Sequence, residues 1–168
     1  MTDNRRTFAA GVVGVLVLIL LNVFIVQKER LWASGEPLLL ELAPSDPRSL
    51  LQGDYMALRY RLPDWLARDS TLARNGRLVV QVDARHVGTI QRLHRPGEAL
   101  AADERLLRYR RRGGAVHLGA EAFFFQEGHA EVYEQARYGE LRVDDEGNSL
   151  LVGLRDEDLN VLEPKDGS

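Results

Sequence analysis

Cysteine is absent from this sequence, lysine occurs only twice, and aromatic residues make up 7% of the 168 positions. Without cysteine the chain has no disulfide, no thiol nucleophile and no thiolate ligand for zinc. The four histidines are 8, 23 and 12 residues apart, which matches no metal motif. The formal net charge is −3, so a nucleic-acid partner has no overall electrostatic support. We therefore expect no cofactor, no metal and no nucleic acid.

A long uncharged run stands near the N-terminus. Residues 8–26 contain no charge, and 14 of these 19 residues are Leu, Ile, Val or Phe. As a helix this run is about 28 Å long, close to the hydrocarbon thickness of a bilayer. A cleaved signal peptide is the main alternative, but Gln27-Lys28-Glu29-Arg30 is a poor cleavage site. The pattern favours an uncleaved, single-pass transmembrane anchor.

The anchor divides the chain into segments. We predict a cytoplasmic tail at 1–7, the anchor at 8–26, a linker at 27–36, a globular domain at 37–162 and a loose tail at 163–168. Two basic residues precede the span and two follow it, so basic-residue counts alone do not set its orientation. From Leu31 onward there are 18 basic and 23 acidic residues (18 − 23 = −5), and such a domain is not drawn to anionic headgroups.

Short alternating segments dominate the globular part, which is typical of β-strands. Strands are predicted at 37–42, 55–61, 77–82, 87–93, 106–112, 115–118, 123–125, 138–143 and 150–154. Gly113-Gly114 indicates a tight hairpin. Short helical segments are predicted at 46–51, 63–68 and 126–137. The expected fold is mainly β with short helices (α+β), an N-terminal transmembrane helix followed by one curled or barrel-like antiparallel or mixed sheet.

The segment Gly53-Asp54-Tyr55-Met56-Ala57-Leu58-Arg59-Tyr60 stands out among these strands. Glycine permits a tight entry, aspartate can close a turn through backbone hydrogen bonds, and alternation then places Met56, Leu58 and Tyr60 on one side. The eight residues resemble the motif of the bacterial GDYXXLXY family, with Gly53, Asp54, Tyr55, Leu58 and Tyr60 at its fixed positions. The resemblance extends more loosely over residues 37–162.

The resemblance implies a place and a class of partner. Members of this family are membrane-anchored bacterial proteins often encoded beside multi-pass membrane proteins, and no activity or catalytic residue follows from the likeness. It favours an inner-membrane protein with its C-terminal domain in the periplasm. A second block from Glu127 to Tyr138 resembles another pattern of the family. The residues of a possible ligand or partner site are therefore Arg59, Glu127, Tyr133, Glu134 and Arg137.

Three functions remain open on the sequence alone. The first is a non-enzymatic accessory or interaction module. The second is a membrane-tethered hydrolase that uses Asp54 and Glu127 as acid and base, although Asp54 can equally cap a turn and Glu127 or Glu134 can pair with Arg137 or Arg59. The third is a small-ligand sensor that uses Tyr55, Arg59 and Tyr60.

An arginine cluster lies in the predicted strand at 106–112 and just before it. Its members are Arg105, Arg108, Arg110, Arg111 and Arg112. Alternation divides them between the two faces of one strand, so a solvated sheet edge that resists strand addition is the favoured interpretation over a lipid or nucleic-acid site.

Overall fold

The computed structural model describes residues 2–43, 55–69, 71–126 and 128–164. Helix α1 (Thr2–Ser34) leads after Gly35 directly into the first strand. The later elements in these ranges are β1 (Glu36–Glu41), β2 (Tyr55–Ala57), α2 (Asp64–Arg68), β3 (Asn75–Val82), β4 (Val87–Leu93), β5 (Glu104–Arg112), β6 (Ala115–Leu118), β7 (Ala122–Phe124), α3 (Ala130–Tyr133), β8 (Tyr138–Val143) and β9 (Ser149–Arg155).

Seven strands form one mixed sheet in the order β6-β5-β3-β4-β1-β8-β9, and β2 pairs with β7 in a separate ribbon. Strand β1 runs parallel to β4, whereas the other neighbours are antiparallel. The large sheet curls into a half-barrel. Its curl returns the β8–β9 turn to β5, where Arg108 N donates to Gly147 O at 2.8 Å. The predicted fold class is confirmed.

Two hydrophobic clusters fill this architecture. The first cluster occupies the inner face of the curled sheet and consists of Leu38, Leu40, Leu66, Leu72, Leu78, Val80, Leu107, Tyr109, Leu118, Leu141 and Val143. The second cluster consists of Leu42, Met56, Leu58, Tyr133, Ala136 and Leu154. Alternation selects the cluster residues that lie on strands, since every second side chain faces inward, and Leu66 of α2 and Tyr133 of α3 are among the residues that complete the two clusters. Burial of this apolar surface is the main force that stabilises the curl.

Helix α1 contains one segment, Gly11–Ser34, that is long and apolar enough to cross a membrane. At about 1.5 Å per residue this segment is about 36 Å long. Its side chains from Gly11 to Arg30 are exposed, whereas Leu31 is buried where the last turn meets β8 and β9. A Cβ atom at Gly35 would lie 2.9 Å from Arg142 Cβ, so glycine is required for this close junction. Residues 27–36, predicted as a linker, thus contain the end of α1 and the start of β1.

Apart from the strand predicted at 55–61, the predicted strands agree with the observed ones to within about two residues, and the Gly113-Gly114 hairpin is confirmed with φ values of 56° and 85°. The helix predicted over 126–137 is wrong in its length, because only Ala130–Tyr133 is helical there. Its C-terminal part is drawn into the sheet, where Arg137 N donates to Arg155 O at 2.8 Å. The expectation that the arginine-rich strand is a sheet edge is also wrong, since β5 lies between β3 and β6.

Candidate functional site

The motif segment, residues 55–60, begins as part of the small ribbon. Tyr55 pairs with Phe124, and their ring centroids are 5.8 Å apart. Met56 and Leu58 are buried in the second cluster, as the alternation predicted. The regular strand ends at Ala57, although Leu58 N still donates to Glu121 O at 2.7 Å. The prediction of one strand to residue 61 is therefore wrong.

The segment then changes its partner from β7 to β1. Strand β1 pairs with β4 only at Leu39 and Leu40. Beyond these two residues β4 no longer pairs with β1, which leaves this edge of β1 available to the motif segment. Tyr60 forms a bridge with Leu42, and Arg61 N donates to Glu41 O at 2.9 Å. The end of the motif thus enters the gap where β1 and β4 separate.

Tyr60 joins the two hydrophobic clusters, because its ring packs against members of both. Gly139 on β8 makes room for it, since a Cβ atom there would lie 3.1 Å from Tyr60 Cε1. The Tyr60 hydroxyl is buried and finds no hydrogen-bond partner within the described ranges. Burial raises the pKa of Tyr60 well above its usual value, so the phenol is neutral. An unsatisfied buried hydroxyl costs about 1–3 kcal/mol.

A cleft of about 560 Å³ opens beside Tyr60, and we call it the motif cleft. Its walls are formed by residues of β1, by the chain after the motif and by β4: Leu40, Glu41, Tyr60, Arg61, Leu62, Pro63, Asp64, Gly88, Thr89 and Ile90. Arg61 Nε and Glu41 Oε1 form an ion pair of 3.3 Å, and both side chains are exposed. Half of the ten lining residues are apolar and half are polar or charged, so the cleft offers a small molecule both kinds of contact.

The second block of the resemblance meets the motif across the end of β1. Leu42 N donates to Arg137 O at 2.8 Å, while Leu42 bridges Tyr60 on its other side. Tyr133 is buried between Phe123 and Phe125, with ring centroids at 5.0 and 5.1 Å, and burial raises its pKa. The block therefore contributes packing to the same end of the sheet.

Arg59, Glu134 and Arg137 have exposed side chains. In the part of the chain that the structure describes, none of the three takes part in an ion pair. The expected pairing of Glu134 with Arg59 or Arg137 is wrong. These charges do not assemble with Tyr133 into one polar site, because Tyr133 faces the aromatic cluster.

Gly53, Asp54 and Glu127 lie outside the described residues, as does the segment 46–51. The turn-capping role of Asp54 and its acid–base role with Glu127 therefore stay predictions. No group of three or more His, Asp or Glu side chains is placed to hold a metal ion across residues 2–43, 55–69, 71–126 and 128–164.

The segments described above lie within the part of the chain that matches a family model. A family model described as GDYXXLXY protein matches residues 17–154. The chain belongs to the GDYXXLXY family. No curated protein and no solved structure matches the chain. The GDYXXLXY match begins inside α1 and ends in β9, so it includes the second half of the apolar helix together with the sheet.

Two residues that contact the motif segment, Leu42 and Gly139, were not identified as candidate site residues from the sequence. Gly139 had a usable signal, because glycine inside an otherwise regular strand often marks a close approach of another group. Leu42 had none, since its role depends on the two segments that pair with it from opposite sides.

Proposed function

We propose that this GDYXXLXY protein is a membrane-anchored, non-enzymatic accessory protein that works with a multi-pass membrane protein. In this proposal α1 crosses the bacterial inner membrane and the half-barrel lies in the periplasm. The observation that carries it is the exposed apolar face of α1 joined to the sheet through the single residue Gly35. Such a junction holds the domain close to the membrane, where an accessory protein meets the exposed loops of its partner.

Asn22 supports a partner within the membrane. Its side chain donates to Leu18 O at 2.9 Å, which leaves the amide oxygen and one N–H available. Asn22 is the fourth of five residues in a seam with alternating spacings of four and three residues, the period of left-handed helix pairs. This seam consists of Gly11, Val15, Leu18, Asn22 and Ile25. Polar side chains inside a bilayer are costly and usually mark a contact with protein.

Site-specific photo-crosslinking in cells tests this proposal. A crosslinker at Val15 or Leu18 reports on the seam, and one at Val13 or Leu20 reports on the opposite side of the helix. We expect adducts with a multi-pass membrane protein from the seam positions only, and we expect Asn22→Leu to reduce them. Adducts that contain only a second copy of the chain, or equal adducts from both sides, would contradict the proposal.

Anchoring and orientation need a separate experiment. The mature protein should retain its N-terminus, and a reporter that works only outside the cytoplasm should be active when fused after Ser168. An N-terminus near residue 34 would indicate a cleaved signal peptide. Activity of a cytoplasm-only reporter at Ser168 would reverse the orientation.

The motif cleft favours a second candidate function, binding of a small ligand. The supporting observation is the buried Tyr60 hydroxyl without a partner in the described chain, next to a cleft of about 560 Å³. Native mass spectrometry of protein purified in mild detergent should show a co-purified small molecule that Tyr60→Phe removes. The matched control is Tyr138→Phe, which deletes a phenol hydroxyl outside the cleft. Equal occupancy in both variants would exclude Tyr60 as the contact.

A further inference from the structure

Arginines from two neighbouring strands converge on the outer face of the half-barrel. In strand β5, Leu107, Tyr109 and the half-buried Arg111 lie on the core side, whereas Arg108, Arg110 and Arg112 face outward. In the register of β3 and β5, Arg77 lies opposite Arg108. Like charges directly opposite each other on a sheet destabilise it. The outer face therefore carries an electrostatic cost that needs a compensating anion.

A groove of about 970 Å³ contains these side chains, and we call it the arginine groove. Its lining includes six arginines, Arg74, Arg77, Arg108, Arg110, Arg111 and Arg112. No acidic residue is among the described residues that line it. Arg74 precedes β3 and lies beside the end of β5, since its carbonyl accepts from Arg111 N at 2.7 Å.

Two internal anions approach the groove, and one of them, Asp69, lies within electrostatic range of Arg111. Glu146, in the β8–β9 turn, forms an ion pair with Arg108 in which Oε2 and Nη2 are 3.0 Å apart. The Glu146 carbonyl also accepts from Arg77 Nε at 3.0 Å. Arg111 donates to Leu72 O at 3.1 Å. These contacts compensate the Arg77–Arg108 end of the groove only in part.

The three remaining arginines of the groove have no such partner among the described residues. Over the described ranges, the guanidinium groups of Arg74, Arg110 and Arg112 form no hydrogen bond or ion pair. Six arginines, Glu146 and Asp69 give a local charge of +4 (6 − 2), whereas residues from Leu31 onward sum to −5 (18 − 23). A strongly positive groove in an acidic domain is a concentrated site rather than a general surface property.

We propose that the arginine groove binds ligands that carry two or more phosphate groups. A guanidinium binds a phosphate through two parallel N–H donors, and three such groups without partners face one cavity. The cavity is several times the volume of a small anion, so it has room for linked phosphates. This site is separate from α1 and from the motif cleft, and its existence does not depend on the proposed function.

Phosphate groups of this kind can come from lipid headgroups or from soluble oligophosphates. Arg105, near the start of β5, forms an ion pair with Glu36, two residues after α1 ends. Arg108 and Arg112 lie three and seven residues further along β5, about 10 and 24 Å at roughly 3.4 Å per residue. The groove is thus near enough to the end of the anchor for either source to reach it.

Titration calorimetry of the full-length protein in neutral detergent, with tripolyphosphate as the probe, tests the soluble arm. We expect binding, and we expect Arg74→Ala, Arg110→Ala and Arg112→Ala combined to weaken it by about tenfold or more. The matched control combines Arg68→Ala, Arg85→Ala and Arg95→Ala, which changes the net charge equally outside the groove and should retain affinity. Equal losses in the two triple variants would reduce the binding to general electrostatics and overturn the proposal.

Glu146→Gln gives a second variant that does not remove any arginine. Because Glu146 competes for Arg108, its neutralisation should strengthen tripolyphosphate binding by a few fold. Citrate serves as the non-phosphate control, and binding as tight as that of tripolyphosphate would contradict the phosphate preference.

Bilayer nanodiscs test the lipid arm, with the full-length protein in phosphatidylcholine alone or in phosphatidylcholine mixed with cardiolipin, which carries two phosphates. Cardiolipin that competes with tripolyphosphate for the wild type, but not for the groove triple variant, would identify lipid headgroups as a source. Tripolyphosphate binding without such competition would identify a soluble source. Absence of binding to both probes would overturn the proposal.

Discussion

The motif segment and the arginine groove differ in how they use their side chains. The motif segment buries Met56 and Leu58 in the second cluster and leaves one polar atom, the Tyr60 hydroxyl, without a partner in the described chain. The groove leaves four of its six arginines exposed, and three of its guanidinium groups have no partner among the described residues. Both binding proposals start from a polar group that has no partner among the described residues.

The difference lies in what the surrounding residues do for the fold. Residues of the motif segment contact both hydrophobic clusters, so their substitution changes stability and binding together. Arg74, Arg110 and Arg112 of the groove are exposed and have no partner among the described residues, so their substitution changes binding alone. Stability measurements on full-length protein in neutral detergent therefore separate the two regions.

The largest expected effect is at Leu58. Its side chain is 5% exposed and lies in the second cluster, so Leu58→Ala removes buried methyl groups and leaves a cavity. We expect a loss of about 2–5 kcal/mol in the free energy of unfolding. Urea unfolding followed by circular dichroism measures it, with Arg59→Ala as the exposed neighbouring control, which should stay within about 0.5 kcal/mol. Similar results for both variants would show that the motif does not serve the core.

A smaller effect of opposite sign is expected at Tyr60. Tyr60→Phe keeps the ring that joins the clusters and removes a buried hydroxyl without a partner in the described chain. We expect the free energy of unfolding to stay unchanged or to rise by about 1 kcal/mol. A loss of more than that would indicate that the hydroxyl has a structural partner, and the ligand hypothesis for the motif cleft would then lose its support.

The sequence predicted the local elements well because their signals are local. Alternation identified the strands of the half-barrel, and two glycines that adopt positive φ identified the β5–β6 turn. The helix over 126–137 failed for a tertiary reason. Tyr133 is held between two phenylalanines and Arg137 is paired with β9, and these contacts override the helical spacing.

The sites depended on register and topology, which the sequence does not display. The parallel pairing of β1 with β4 joins distant segments and covers only Leu39–Val87 and Leu40–Gly88. Because the pairing stops there, the motif cleft opens between the two strands. The arginine groove needs Arg77 opposite Arg108, a register set by the whole β3–β5 pair. Alternation alone divided the arginines of β5 between two faces, and it contained no information about the arginines that β3 adds.

Arg92, unlike the groove arginines that have no partner among the described residues, is paired with two carboxylates, and the pH dependence of unfolding tests whether this pairing stabilises the fold. Arg92 bonds Glu104, with Nη1 and Oε1 at 2.5 Å, and Glu98 at 2.7 Å. The hydrogen bond from Arg92 lowers the pKa of Glu104, so the carboxylate stabilises the fold at neutral pH and this contribution disappears as the pH falls below about 4.3. Glu104→Gln should lower the urea midpoint at neutral pH and not in strong acid. A difference that persists in acid would show that the effect is not ionic. Asp64→Asn, which removes the exposed ion pair of Asp64 with Arg68, serves as the control and should change the midpoint little at either pH.

The smallest expected effect on the ligand-free protein is at Arg110. Its side chain is exposed and has no partner in the described chain, so Arg110→Ala should change the free energy of unfolding by less than about 0.5 kcal/mol. Once tripolyphosphate is present, the stability of Arg110→Ala should fall below that of the wild type. A ligand that binds only the folded state stabilises it by about 2.7 kcal/mol at a concentration of about 100 times its Kd. The wild type should therefore gain thermal stability with added tripolyphosphate, and Arg110→Ala should gain less at the same concentration. Equal gains would place the anion outside the groove, whereas a large loss of stability without ligand would mean that Arg110 belongs to the fold, as Leu58 does.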